Sequence, residues 1–300
     1  MSVPSLRIAV VGDVHDLWQA EVDRAMLHSL GVDLVLFVGD FGNEVVPLVK
    51  AIAELDLPKA VILGNHDAWY SASEWGKKKC PYNREQEDWV QQQLDYLGIA
   101  HVGYGRLDFP QFQLSVVGSR PFTWGGQDWK SSDFYRDRYG ITDFQASTQR
   151  IVAAAQASPY ETIIFLGHNG PFGLGAQPQD ICGKDWEPRG GDYGDPDFAA
   201  AIAQTKAANK QVPLVAFGHM HHKLRCDSKP RQSLLKVDST VYLNAASVPR
   251  ILQRQDQQET QELHNFSLVE MQNGKVNRAS LVWLELNHQI QAEVMLLGGF

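Results

Sequence analysis

Five short apolar runs in this chain each stop at a glycine followed at once by side chains able to bind a metal. Residues 8–11 lead into Gly12-Asp13-Val14-His15, residues 36–38 into Gly39-Asp40, and residues 60–63 into Gly64-Asn65-His66-Asp67. Later, residues 164–166 lead into Gly167-His168, and residues 215–217 into Gly218-His219-Met220-His221. One such run reads equally well as a strand ending in a turn, with Asn65 and Asp67 bonding their own backbone. Five in phase constrain the chain far more. Strands of this kind lie side by side, and in open α/β sheets ligands bind beyond their carboxyl ends. The rims therefore deliver Asp13, His15, Asp40, Asn65, His66, His168, His219 and His221 to one edge. In Asp13-Val14-His15 and His219-Met220-His221 the alternate spacing puts both members of each pair on one side.

The rest of the chain supports an α/β architecture, because apolar runs and helical stretches alternate through its first two-thirds. Periodicity predicts helices over 18–30, 44–55, 84–97 and 143–157, and another from 196 to about 208 opened by Asp195-Pro196 as cap and first turn. Strands are expected over 6–11, 33–38, 59–63, 99–102, 113–117, 162–166 and 213–217. After that the pattern becomes antiparallel, over 234–237, 241–244, 265–271 and 276–286, with Asn273-Gly274 as a hairpin turn. The glutamine-rich stretch 253–262 reads as a solvated excursion, residues 294–297 as a docked tail, and Lys77-Lys78-Lys79 as an exposed loop. A single domain over 1–300 is expected, with insertions at about 119–142 and 169–195.

With 300 residues, 44% hydrophobic and 21% charged, the chain has the composition of a soluble globular protein. Its net charge of −8 argues against a protein that coats nucleic acid or an anionic membrane. Cys80, Cys182 and Cys226 are odd in number and far apart, and read as reduced thiols. No run approaches the roughly 18 to 20 apolar residues of a membrane span, and no signal peptide is visible, so a cytoplasmic setting is expected.

The ligand mix has chemical meaning. Seven groups carrying imidazole, carboxylate and carboxamide suit two metals that share a bridging carboxylate. Nitrogen and oxygen donors without cysteine favour Mn, Fe, Zn or Co. Two metals about 3.5 to 4 Å apart clamp the attacking and leaving oxygens of a phosphoryl centre and acidify bound water.

In their order, the five blocks resemble the signature of the calcineurin-like metallophosphoesterase superfamily: D-x-H, G-D, G-N-H-[DE], H and G-H-x-H. The resemblance spans most of residues 6–222. It implies a four-layer αββα sandwich with two central mixed β-sheets and a di-metal site at the strand rims. Carried over residue by residue, it places Asp13, His15, Asp40 and His221 on one metal, and Asp40, Asn65, His168 and His219 on the other. His66 would protonate the leaving oxygen or stabilise the transition state, and a metal-bridging hydroxide would attack in line. The implied activity is hydrolysis of a small phosphate ester. A cyclic-nucleotide type phosphodiesterase, a protein phosphatase and a non-catalytic scaffold of the same fold are the alternatives.

Departures from the family pattern narrow the reading. Phosphoprotein phosphatases of the superfamily carry D-x-x-D-R in the second block, where this chain has Asp40-Phe41-Gly42-Asn43-Glu44. That removes a phosphate-binding arginine and the carboxylate that normally orients the acid histidine, and Asp67 becomes a candidate for the orienting role. A sixth run, Leu114-Ser115-Val116-Val117-Gly118, leads to Ser119-Arg120, and Arg120 could hold phosphate oxygens or form an ion pair. Both insertions leave from rims of the site and are long enough to be lids or walls. Trp124, Trp129, Trp186 and Tyr193 could stack on a ring or simply pack the insertions. Asp180, Asp185 and Asp192 are expected to repel large polyanions at the mouth.

Overall fold

In a computed structural model the described residues are 5–225, 227–256 and 259–298. Strands and helices alternate from the start: β1 (Leu6–Val11), α1 (Ala20–Ser29), β2 (Leu34–Phe37), α2 (Val46–Ala53) and β3 (Lys59–Val61). Two short helices, α3 (Trp69–Ala72) and α4 (Glu74–Lys77), precede α5 (Trp89–Leu97), β4 (Arg106–Phe109) and β5 (Leu114–Gly118). Next come α6 (Ser132–Tyr139), α7 (Phe144–Gln156), β6 (Thr162–Leu166), α8 (Pro196–Ala207) and β7 (Gln211–Phe217). The remaining strands are β8 (Leu234–Val237), β9 (Thr240–Asn244), β10 (Ile251–Asp256), β11 (Glu259–Gln272), β12 (Lys275–Glu285) and β13 (Ile290–Leu297).

They form two mixed sheets. One runs β13-β12-β11-β1-β2-β3, with β10 also paired to β11, and the other runs β4-β5-β6-β7-β9-β8. Strands β1, β2 and β3 are mutually parallel, as are β5, β6, β7 and β9.

Alternation along each strand shows how the layers stack, since successive side chains point to opposite faces. Ile8, Val10, Leu34 and Leu36 of the first sheet share a buried cluster with Ile164, Leu166, Leu214 and Ala216 of the second. The residues between them face outward. Ala9, Val11, Val35 and Phe37 pack on Met26, Leu27, Val49 and Ile52 of α1 and α2. Ile163, Phe165, Val215 and Phe217 pack on Ile151, Ala155, Phe198 and Ala201 of α7 and α8. Helix, sheet, sheet, helix is the expected four-layer sandwich. Strands buried on both faces also explain why these runs read as continuous apolar sequence.

Four expectations need correction. Residues 99–102 are not a strand: Gly98–Ala100 is a 3-10 turn, Ile99 is 84% exposed, and His101 makes an isolated bridge to Val61. The chain turns at Gly98 (φ 51°), so only His101 and Val102 reach the β3 edge, where the Val102 N–H donates to the Val61 carbonyl at 2.9 Å. The stretch 253–262 is largely the β10–β11 ladder, where backbone pairing overrides a polar sequence. Residues 294–297 belong to β13, which closes one edge of the sheet against β12. Helix α5 starts only at Trp89, where the Asp88 carboxylate accepts the Gln91 N–H at 2.8 Å. Cys80 and Cys182 are free thiols, and Cys226 lies outside the described residues. Among the described residues no helix is long and apolar enough to cross a membrane.

Candidate active site

The carboxyl ends of β1, β2 and β3 in one sheet and of β6 and β7 in the other meet at a common edge. Hydrogen bonds across the sheets fix this convergence. The Asp13 carboxylate accepts the His219 N–H at 3.0 and 3.1 Å. His168 Nδ1 lies 2.8 Å from the Val38 carbonyl and donates to it, since a carbonyl can only accept.

Of the five rim glycines only Gly39 takes a left-handed backbone (φ 96°); otherwise that conformation falls on the candidate ligands His15 (φ 44°), Asp40 (φ 54°) and His219 (φ 67°). That conformation is uncommon outside glycine and concentrates at functional sites. Gly64 and Gly218 instead provide room. A Cβ on Gly64 would sit 2.3 Å from Asp40 Oδ1, and one on Gly218 would sit 2.2 Å from Asp13 Oδ1.

Three overlapping groups of ligand atoms result: Asp13, His15 and His221; His15, Asp40 and His66; and Asp40, His168 and His219. Asp40 belongs to two of them, and Asn65 adds an oxygen 2.9 Å from His168 Nε2. With Nδ1 turned to the Val38 carbonyl, His168 presents Nε2 to the Asn65 oxygen and to Asp40 Oδ1 at 3.4 Å. His15 Nε2 and His221 Nε2 face each other at 3.1 Å, and His221 Nε2 lies 3.2 Å from Asp13 Oδ2. These nitrogens and carboxylate oxygens converge closely enough to share one cation. Two donors each about 2.1 Å from one ion and at right angles stand about 3 Å apart, so the spacing fits first-row metals.

Electrostatics agrees. Burial raises the Asp13 carboxyl, but the hydrogen bond and charge of His221 outweigh it and hold the group below the ordinary carboxylate value. Asp40 is also buried, and the charges of His168 and His66 pull it down. Burial, helped by His168, pushes His219 down to about 3, leaving a neutral imidazole ready to donate. His221 is raised despite its burial, by the hydrogen bond and charge of Asp13. Such a proton is what a bound metal displaces.

The role held open for Asp67 resolves against the acid histidine. Its carboxylate accepts the N–H groups of Gly64 at 2.7 Å, Asp40 at 2.9 Å and Phe41 at 3.0 Å, so it ties the β2 and β3 rims together. The group that orients His66 is Asn43, whose Oδ1 lies 2.7 Å from His66 Nδ1. His66 stacks on Trp69 with ring centres 4.9 Å apart and planes 15° apart, and burial lowers its pKa. Glu44 does not reach the site, because Ser71 N–H and Tyr82 O–H occupy its carboxylate at 2.7 and 2.5 Å.

Arg120 also turns away. It is 2% exposed and donates to Asp195 at 2.6 Å and to Asp197 at 2.9 Å. A guanidinium already met by two buried carboxylates is not presented to a substrate phosphate, so the ion-pair alternative describes it. The same pairing explains why the Asp195 side chain does not cap α8.

A cavity of about 260 Å³ opens over the ligand cluster. Trp124 of the first insertion and Trp186 and Tyr193 of the second form its walls, whereas Trp129 packs against Tyr135 of the first insertion and Phe144 of α7. The expected acidic mouth is absent among the described residues. Asp180 and Asp192 accept loop N–H groups, and Asp185 pairs with Arg231 at 3.3 Å. Lys223 and Arg225 line the cavity instead. Both follow the last ligand, His221, by two and four residues, a proximity in sequence that could have exposed them.

Such an edge, two stacked sheets presenting carboxylates and imidazoles around an open cavity, is a candidate metal centre. The model of the calcineurin-like phosphoesterase family matches residues 6–223. The chain belongs to that family, whose members hydrolyse phosphoesters with a dimetal centre. No curated protein matches the chain at a significant level. Among solved structures, one aligns over 99% of this chain and 100% of its own, with a TM-score of 0.50 and 10% identity. GAP50, the anchor in the inner membrane complex of Plasmodium, aligns over 99% and 90%, with a TM-score of 0.46 and 10% identity. A dimetal phosphatase from Danio rerio aligns over 100% of both chains, with a TM-score of 0.47 and 11% identity. At such identities the likeness is one of fold.

Proposed function

We propose that this chain hydrolyses a small phosphate ester at two metal ions. Asp13, His15, Asp40 and His221 would hold one ion, and Asp40, Asn65, His168 and His219 the other. The observation that carries this reading is Asp40, common to two ligand groups and 3.4 Å from His168 Nε2. When bound, two such ions acidify water and neutralise charge on a phosphoryl oxygen. The mix of imidazole with carboxylate and carboxamide suits Mn, Fe, Zn or Co.

The chain's own residues supply the remaining steps. Asn43 accepts from His66 Nδ1 and turns Nε2 toward the cavity, where it can give its proton to the leaving oxygen. Asp67 holds the Asp40 and Gly64 backbones in register. Trp124, Trp186 and Tyr193 narrow the entrance, which supports a small substrate over a folded phosphoprotein or a nucleic acid. Unpaired cysteines support a cytoplasmic setting.

Metal analysis with parallel assays of 4-nitrophenyl phosphate and bis(4-nitrophenyl) phosphate tests the proposal. We expect two ions per chain and metal-dependent turnover, with the preferred substrate separating monoesterase from diesterase. Full metal loading with no turnover of either compound would mean a scaffold of the same fold.

A further inference from the structure

Beside the ligand cluster, the cavity carries two cations that the hydrolytic chemistry does not use. Lys223 and Arg225 line it and both are exposed. Neither makes an ion pair with a carboxylate among the described residues, in a chain whose acidic groups outnumber its basic ones, 35 to 27. The carboxylates that line the cavity are already engaged. Asp40 belongs to the ligand cluster, and Asp185 receives Arg231 at 3.3 Å and the Arg225 backbone N–H at 2.7 Å.

The two cations are also held in place. The hydrogen bond to Asp185 fixes the Arg225 backbone, and its guanidinium lies 5.7 Å from the centre of the Trp186 ring. A planar guanidinium on an indole face retains its outward N–H fork for a bidentate acceptor. Lys223 is anchored through its bridge to Pro230. A flexible ammonium beside a planar fork is a pairing suited to a phosphate, which offers several oxygens and more than one charge.

We propose that Lys223 and Arg225 form a subsite for a second phosphate, so that the preferred substrates carry two phosphates on one small organic skeleton. The proposal rests on the hydrolase reading of the ligand cluster and extends it to substrate class. One phosphate sits over the cluster, the second on the cations, and an aromatic moiety packs against the indole of Trp124 or Trp186. A cavity of about 260 Å³ lies just below the ~300 Å³ of the smallest pockets that take drug-sized ligands. That size suits a small-molecule substrate. Nucleoside diphosphates and nucleoside bisphosphates meet all three requirements.

Phosphate release from AMP, ADP and adenosine 3′,5′-bisphosphate, by the metal-loaded full chain, tests this directly. The wild type should favour at least one of the two-phosphate compounds over AMP in kcat/KM. In Arg225→Ala and in Lys223→Ala/Arg225→Ala that preference should fall by about tenfold or more, mainly through KM, the size of one charge-assisted contact. Arg225→Glu should lower it further. Both side chains are exposed, and a circular dichroism spectrum matching wild type confirms folding. A preference that stays the same in all three variants, or none in the wild type, overturns the subsite while leaving the hydrolase intact. If the wild type also fails to hydrolyse 4-nitrophenyl phosphate, the hydrolase reading fails and the subsite with it.

Discussion

Two charged clusters, each centred on a buried carboxylate, show how a candidate site differs from a structural network. The first is the rim cluster around Asp40. The second joins Asp23 of α1 to Arg250 and to His264 of β11. There the Asp23 carboxylate accepts from Gln19 N–H at 2.8 Å, from Arg250 at 2.8 and 3.0 Å, and lies 2.8 Å from His264 Nδ1. Every contact to Asp23 pairs an acceptor with an N–H. At the rim, imidazole nitrogens crowd one another and the Asp13, Asp40 and Asn65 oxygens at 2.9 to 3.4 Å. Both clusters contain Asp and His, both centre on buried carboxylates, and both perturb pKa values. What separates them is closure at the carboxylate: each contact to Asp23 is met by a protein donor, although Arg250 Nε is left without a partner, while the rim donors converge as groups that could hold a metal ion. A perturbed carboxylate is therefore weak evidence of function until its partners are counted.

This contrast can be broken at either end. Asp40→Ala should have the largest effect, removing metal retention and turnover together without loss of fold, as read by metal analysis and 4-nitrophenyl phosphate hydrolysis. Full activity in that variant would end the assignment. His66→Ala should lower kcat by about 10² to 10⁴-fold, the range for a positioned proton donor, with both ions still bound. Loss of an ion instead would make His66 a ligand, since its ring nitrogen lies within the group formed with His15 and Asp40.

In the closed networks the expected losses are of stability. Asp23→Ala should cost about 3 to 5 kcal/mol in denaturant unfolding, because it leaves a buried guanidinium uncompensated. Turnover per folded molecule should hold. Arg120→Ala should behave likewise, and a raised KM for phosphomonoesters would return Arg120 to the site.

The Asp23 network also sets a pH dependence. Burial raises the Asp23 carboxyl, but the charge of Arg250 and hydrogen bonds from His264 and Arg250 bring it below its ordinary 3.8. A carboxyl depressed in the folded state stabilises fully above the unfolded value and loses that contribution as pH falls through the folded value. The stability gap between wild type and Asp23→Asn should thus narrow on acidification below about 3.8, measured by thermal unfolding; a gap that widens contradicts the pairing. The smallest effect is expected from Asn43→Ala, about tenfold in kcat. Asn43→Asp should recover it and raise the basic side of the pH–rate profile, which a purely structural role for Asn43 would not do.

Much of the site was legible because ligands on parallel strands must follow the strand in sequence. Each block could be read as an apolar run, a glycine and a donor. The partners that complete the site have no such grammar. Asn43 stood in the sequence as a missing carboxylate, and only its 2.7 Å approach to His66 shows that an amide took the place. Asp67 and Arg120 were plausible in the site by position. Three backbone N–H groups claim one and two aspartates the other, and these partners lie as far as 77 residues away.

Sequence alone determined an α/β architecture and the order of the candidate ligands, because a strand's apolar run and its rim are local properties of the chain. Tertiary structure decided which charges are spent. Whether Asp185 repels a substrate or neutralises Arg231, and whether Arg120 or Arg225 faces the cavity, depends on contacts across loops and sheets. Electrostatic pairing acts through space over a few ångströms, and chain order does not encode that distance.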